Sequence, residues 1–472
     1  MRFPPRSMLR RLALLLAFAP ASLAQPAPDT LVVDVAEAMR LALDGSPEVA
    51  IERAGRDFAA ARASQARAAR FLTEFNVTTG HAIAPGLDRN GSTLPGDALY
   101  LDPGVRNDWE DPRPYNEFKA ELLQPLFTWG QLGGTIRAAE AGVAVEDAVV
   151  AAKAGEVALR TGELYYNVLL TDTLAAIAVE TGEALGTARG ELERLLDEGD
   201  PSVTDADLFQ LRLFEQEYLR RRAEVGEQQA LAGSGLGRQV LRPGVVVRGG
   251  TLEPVPFEVE DLATYQALGL ASRPELRQAA AGLRARDALV DVAKSDYYPK
   301  LFLGGTATGR YAAGRVQQGN PFIGDSFLGS GLRFGLGIRQ DLTFLQTRAK
   351  VAQAEAERNE VRFQQEAAEQ LVLFEVEQAF RQLRIAEAAL AARDETVAIT
   401  GEWLRTEQIN FDLALGDVDD LIAAVRADLE GRAARLDAVK TYNVAVLRLL
   451  HAAGVLAERV ERGTLFEQAI GE

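Results

Sequence analysis

The side chains that ordinarily carry chemistry are scarce in this sequence. Cysteine is absent. That removes thiolate metal sites, a thiol nucleophile, disulfides and the thiol that an N-terminal lipid anchor requires. The two histidines, His81 and His451, are too few for a His-rich metal or acid–base centre. Gly233-Ser234-Gly235-Leu236-Gly237 and Gly335-Leu336-Gly337 superficially suggest phosphate-cradling loops. Neither completes G-x-G-x-x-G at a strand–helix junction or carries a P-loop lysine, so a flexible connector and a strand are the expected roles. Asp and Glu number 68 against 51 Lys and Arg, a net charge of −17. That balance argues against nucleic acid, which needs a basic surface. It fits a solvated surface or a lumen that disfavours anions. No catalytic constellation, cofactor or metal site is expected, and what remains is architecture.

The 472 residues exceed one compact domain, so several domains or one elongated body are expected. With 47% hydrophobic and 25% charged residues the chain should fold. Arg2, Arg6, Arg10 and Arg11 precede an apolar stretch over residues 12–19, and Ser22-Leu23-Ala24 supplies a small-x-small pattern before Gln25. Residues 1–24 therefore read as a secretory signal peptide. The apolar stretch falls well below the roughly 20 residues of a spanning helix, and no later segment offers one. A membrane, if crossed, must be crossed with strands.

The chain is duplicated. Phe75 stands 28 residues after Pro47, and Phe302 stands 28 after Pro274. Leu123-Gln124-Pro125-Leu126 in one half answers Arg339-Gln340-Asp341-Leu342 in the other, and Gly199-Asp200 answers Gly416-Asp417. A period of this size implies two pseudo-symmetric units. The first repeat is placed at residues 25–232 and the second at 259–458. Between them lies an irregular Gly- and Pro-rich connector, 233–258, with room for a short strand at Val245 to Val247. Residues 459–472 are left as a tail. Without a proline between Pro125 and Pro201, or after Pro321, residues 131–198 and 346–415 each read as one helix. At ~1.5 Å per residue each would reach roughly 100 Å. Return helices are expected at 204–232 and 418–455. Val376, Leu383, Leu390, Val397, Leu404 and Phe411 recur every seven residues, the seam of a supercoiled pair.

Each repeat also holds two alternating segments, expected as strands at 75–83, 115–127, 301–311 and 332–342. In the last, Leu332, Phe334, Leu336 and Ile338 oppose Arg333, Arg339 and Asp341. Period-two alternation over about ten residues suits a barrel strand with lipid outside and water inside, and a soluble sheet with one buried face alternates identically. Long helices and a signal peptide favour the barrel. Four strands cannot close one, and an open edge in hydrocarbon costs several kcal/mol for each unsatisfied group. Copies must therefore share: two would give eight strands, three would give twelve.

The sequence resembles the TolC family of outer-membrane efflux and secretion channels over about residues 34–455. The resemblance rests on Val35-Ala36-Glu37-Ala38 with Leu41-Ala42-Leu43 and Pro47-Glu48, and on Gln124-Pro125-Leu126-Phe127 with Gly133-Gly134. The helix–hairpin–helix order of each half and the two Gly-Asp turns complete it. It implies a mainly α fold in two structural repeats: a long helical coiled-coil barrel plus four strands contributed to a shared 12-stranded transmembrane β-barrel. It also implies a homotrimer in the outer membrane with helices reaching into the periplasm, and passive conduction of substrates without enzymatic chemistry. The partners would be a periplasmic adaptor, an inner-membrane transporter and outer-membrane lipid. Gly199, Asp200, Gly416 and Asp417 match the family's adaptor-docking turns, and Asp205 and Asp420 match its periplasmic gate. Helix capping is an equal reading of Asp200 and Asp205. The second half departs from the pattern at Asp341-Leu342-Thr343 and Ala349-Lys350. Ala423 stands where the family has a second gate aspartate, and the second turn is about two residues short. The offset between repeats falls from 227 (Phe75 to Phe302) to 216 (Gln124 to Gln340), which assigns the longer outer loop, residues 85–114, to the first hairpin. The rival reading is a soluble periplasmic coiled-coil adaptor.

Overall fold

The computed structural model describes residues 31–71, 74–88, 106–199, 203–248, 251–315, 324–412 and 418–467. The expected signal peptide lies outside the described residues. The chain opens with strand β1 (Leu31–Val33), helices α1 (Val35–Gly45) and α2 (Pro47–Ala68), strands β2 (Glu74–Asp88) and β3 (Arg106–Phe127), and helices α3 (Gln131–Glu198) and α4 (Asp205–Gln239). Strand β4 (Val245–Val247) pairs in parallel with β1 across the chain's middle. The order then repeats with α5 (Leu262–Ser272), α6 (Pro274–Ser295), β5 (Lys300–Ala312), β6 (Gly329–Arg339), α7 (Phe344–Asp412) and α8 (Val418–Ala452). A short α9 (Leu456–Arg462) follows.

Physical detail repeats along with the order. Helices α1 and α5 are both 11 residues long, and α2 and α6 are both 22 with proline in the first turn. Asp34 caps α1 by accepting the Glu37 N–H at 2.8 Å, and Asp261 caps α5 by accepting the Thr264 N–H at 2.8 Å. Each carboxylate satisfies an amide that the first turn leaves open. α3 and α7 run 68 and 69 residues, and α4 and α8 run 35 each.

Long helices are stable only when a face is buried. Here α2 lies on α3, α6 lies on both α3 and α7, and α4 and α8 fold back along α3 and α7. The seven-residue seam of α7 is inward: Val376 and Leu383 are fully buried and Leu390 nearly so. The main core sits around the molecule's waist, where Met39, Val157, Leu236, Leu252, Leu447 and Leu450 meet. Gly162 admits this packing, because a Cβ there would run into Met39 and Leu447. The connector is fastened to both halves. Thr173 accepts the Leu252 N–H at 3.2 Å, while buried Asn443 accepts the Val255 N–H and donates to the Glu253 carbonyl, both at 2.9 Å.

The elements depart from the expected bounds where solvent, turns or glycines hide them. The helix expected at 204–232 continues to Gln239 through the glycines, because Leu236 is buried in the core and Gly237 lies close against the Arg242 carbonyl. The connector is correspondingly shorter. The loop expected at 85–114 is largely strand, with β2 reaching Asp88 and β3 beginning at Arg106. Its Pro112 and Pro114 lie beyond the last β5 pairing at Ala312, and although Pro114 accepts the Ala313 N–H at 3.0 Å, a missing proline amide breaks no ladder bond there. β6 begins at Gly329 and ends at Arg339, three residues short of the expected 342. α7 begins at Phe344, two residues early. α8 closes at Ala452, because Gly454 takes a left-handed φ of 75°. α9 then occupies the start of the expected tail.

Candidate functional site

Two places in this architecture face outward with more than solubility requires. One is the sheet and the other is the far end of the helices. In the sheet the order is β2-β3-β5-β6, antiparallel throughout. Register brings Phe75, Leu122, Gly305 and Phe334 into one row, and Val77, Ala120, Ala307 and Leu332 into the next. Alternate positions form the other face, with Asn76, Glu121, Thr306 and Arg333 in one row and Thr78, Lys119 and Thr308 in another. Lys119 and Glu121 pair there at 2.8 Å. Two sequence repeats have thus combined four strands into one sheet with a mainly apolar and a mainly polar side.

The apolar side is uncovered. Leu332, Phe334, Leu336 and Ile338 are 66–72% exposed, although each would contribute about 1.5–3 kcal/mol if buried. From Phe118 to Phe127 the outward side of β3 spans nine residues, roughly 30 Å along the strand. At a barrel tilt of about 40° that matches an apolar band about 25 Å tall. Above it His81 and Asn116 bond at 2.7 Å, with Tyr311 opposite Asn116. Below it Trp129 stacks on Tyr298 with ring centroids 4.9 Å apart and meets Phe127 edge-on. The edge strands β2 and β6 have only one neighbour each among the described residues. Cross-strand glycines seat the large rings: Phe334 lies over Gly305 on one side, and Phe302 lies over Gly337 on the other.

At the join between strands and helices the two repeats use the same device. The Gln124 side chain donates to the Arg70 carbonyl at 2.8 Å, and Gln340 donates to the Tyr297 carbonyl at 3.3 Å.

At the far end, α3, α4, α7 and α8 meet in a second apolar cluster of Leu185, Leu192, Val203, Leu211, Phe214 and Val418, flanked by Phe411, Ile422 and Val425. The described ends of these four helices are therefore brought to one level. Gly199 ends α3 with a left-handed φ of 73°, the conformation in which a helix commonly stops. Asp200, Gly416 and Asp417 lie outside the described residues. Asp205 is the first residue of α4 and is exposed, and Asp420 is exposed in the first turn of α8. Capping falls on a different aspartate. Asp207 accepts both the Thr204 N–H at 2.7 Å and the Thr204 hydroxyl at 2.8 Å. Its three-residue spacing from Thr204 is the sequence signal of that arrangement. Because α4 and α8 have equal length, Asp207 occupies in its helix the place Asp420 holds in the other.

Two further polar centres had no sequence signal. Arg315 is buried at the outer end of the sheet. It pairs with Asp325 at 2.9 Å, donates to the Pro85 carbonyl and to Asn107, and lies over the Phe327 ring. At the waist, buried Arg273 pairs with Glu375 and with Glu275, and its guanidinium faces the His451 carbonyl at 3.5 Å. Burial holds the His451 imidazole below its ordinary pKa, and the nearby Arg273 charge adds to the effect. Among the described residues no group of metal-binding side chains gathers, and no helix is long and apolar enough to cross a membrane.

A two-faced sheet on a paired-helix stalk is the fold of solved outer-membrane channels. The chain is similar to a membrane protein from Pseudomonas aeruginosa at 17% identity and a TM-score of 0.71, covering 90% of this chain and 94% of that one. It is similar to the outer membrane protein VceC of Vibrio cholerae at 16% identity and a TM-score of 0.68, covering 89% and 96%. It is also similar to the CmeC outer membrane channel of Campylobacter jejuni at 15% identity and a TM-score of 0.69, covering 93% and 87%. No curated protein matches in sequence. Residues 266–455 match the family described as outer membrane efflux protein.

Proposed function

We propose that this chain is the outer-membrane channel subunit of a tripartite efflux pump or type I secretion system. Three copies pool four strands each into a twelve-stranded barrel, and their long helices form a tunnel through the periplasm. The duct is passive. Substrates would be delivered by an inner-membrane transporter through a periplasmic adaptor that meets the turns at Gly199, Asp200, Gly416 and Asp417. The observation that carries this reading is the sheet, whose apolar side is bare while both edges lack a neighbour among the described residues. In water such a sheet invites aggregation. In a membrane, closure with further copies satisfies the edges and lipid covers the face. A soluble adaptor would have no use for that face.

Heat-modifiable gel migration and resistance to carbonate extraction are the expected behaviour of the membrane fraction. Release as a soluble monomer would reject the channel. Asp205 and Asp420 are proposed to line the periplasmic constriction, where acidic rings select cations. Bilayer conductance of Asp205→Asn/Asp420→Asn should lose cation selectivity, and an unchanged reversal potential would remove both residues from that role.

A further inference from the structure

The apolar surface does not stop where the strands do. Phe71, Leu342 and Leu345, at the junction of sheet and helices, are 73–84% exposed. The Trp129–Tyr298 stack lies at the same junction, and its geometry is costly. Trp129 holds a φ of 51°, rare for a residue with a side chain, and its indole N–H donates to the Pro299 carbonyl at 2.7 Å. Trp and Tyr, each with an apolar ring and a polar tip, suit the level of lipid headgroups.

Cations accompany these rings. Arg70 adjoins Phe71, and Arg348 lies one turn below Leu345 on the same face of α7. Neither pairs with a carboxylate among the described residues. Lys350 reaches Asp296 only at 3.8 Å and keeps 65% of its side chain exposed. The acidic residues of the junction are Asp296, which already binds Lys300 at 2.8 Å, and the exposed Glu74 and Asp341.

Resting on the membrane reading above, we propose that this junction is a collar for anionic phospholipid headgroups at the periplasmic face of the membrane. Phe71, Leu342 and Leu345 enter the acyl boundary, Trp129 and Tyr298 sit at the headgroup level, and Arg70, Arg348 and Lys350 take the phosphates. The occupant follows from continuity with the apolar band and from cations left open beside it.

The test uses the full chain reconstituted in nanodiscs of phosphatidylcholine with and without phosphatidylglycerol, read by native mass spectrometry of the retained lipid. Phosphatidylglycerol should be retained in preference. Arg70→Gln, Arg348→Gln and Lys350→Gln should each lower that preference about fivefold, the equivalent of ~1 kcal/mol per cation near an anionic surface. In a variant whose sole tryptophan is Trp129 (Trp109→Phe, Trp403→Phe), lipids brominated near the headgroup should quench fluorescence more than lipids brominated at the chain end. Equal retention of both lipids, or an undiminished preference in the triple variant with heat-modifiable migration intact, overturns the collar and leaves the channel standing. Failure of the wild-type chain to insert overturns both.

Discussion

Helix α4 of the first repeat starts from a threonine whose amide and hydroxyl are both held by Asp207, whereas in α8 of the second repeat the corresponding Asp420 is exposed. At the other end of the molecule β3 runs 22 residues and β6 only 11. Between these extremes the repeats keep helix lengths to within a residue. Duplication has thus preserved the reach of each element and changed its tips. Reach must be equal if the sheet and the far cluster are each to be built from both halves.

That contrast can be broken first at the waist. In the first repeat the close approach is made by Gly162 of α3, and in the second by Gly269 of α5, where an added Cβ would lie 3.0 Å from Val376 of α7. Gly162→Leu should cost about 3 kcal/mol or more through overpacking against Met39 and Leu447, seen as loss of the heat-modifiable species. Gly186→Ala, where nothing lies near the added carbon, should leave that species intact. Asn443→Leu comes next. It leaves the Glu253 carbonyl and Val255 amide without partners, and about 2–6 kcal/mol should be lost at ~1–3 per group. Proteolysis within 251–258 should accelerate, and normal resistance there would argue that β4 and the Thr173–Leu252 bond suffice to hold the connector.

The tips give smaller effects. Asp207→Ala should destabilise the start of α4 by about 1 kcal/mol, visible as faster amide exchange in its first turn. Asp205→Asn should not change that exchange, since the cap belongs to its neighbour. The smallest effect is confined to acid. The folded state lowers the pKa of His451, so protonation favours the unfolded chain. Stability is complete above the ordinary imidazole value of about 6.5 and falls as pH drops below it. Arg273, Glu275, Glu156 and Glu375 surround the ring, and Arg273 should keep it neutral well into that range. His451→Gln should flatten the melting temperature between pH 7 and 5.

Much of this architecture was legible because long helices and lipid-facing strands write regular patterns. Proline-free stretches marked α3 and α7, and alternation marked the sheet. Where pattern and environment part, reading fails. Gly233 to Gly237 look like a loop, yet Leu236 anchors them in the core as helix. The upper halves of β2 and β3 carry prolines and charges because they stand above the apolar band, where alternation has no purpose. At the tip, Thr204 and Asp207 had the spacing of a reciprocal cap, while Asp205 drew attention through family likeness. Arg315 left no trace, because its partners Pro85, Gly86 and Asn107 are more than 200 residues away.

The glutamines at the strand–helix joins have a mechanical meaning. Gln124 and Gln340 tie the root of each hairpin to the backbone leaving the preceding helix, once per repeat. A shaft pinned at two matched points beneath its collar resists nodding and twisting there. Each pin is worth only ~1 kcal/mol, but a rotation must break both together.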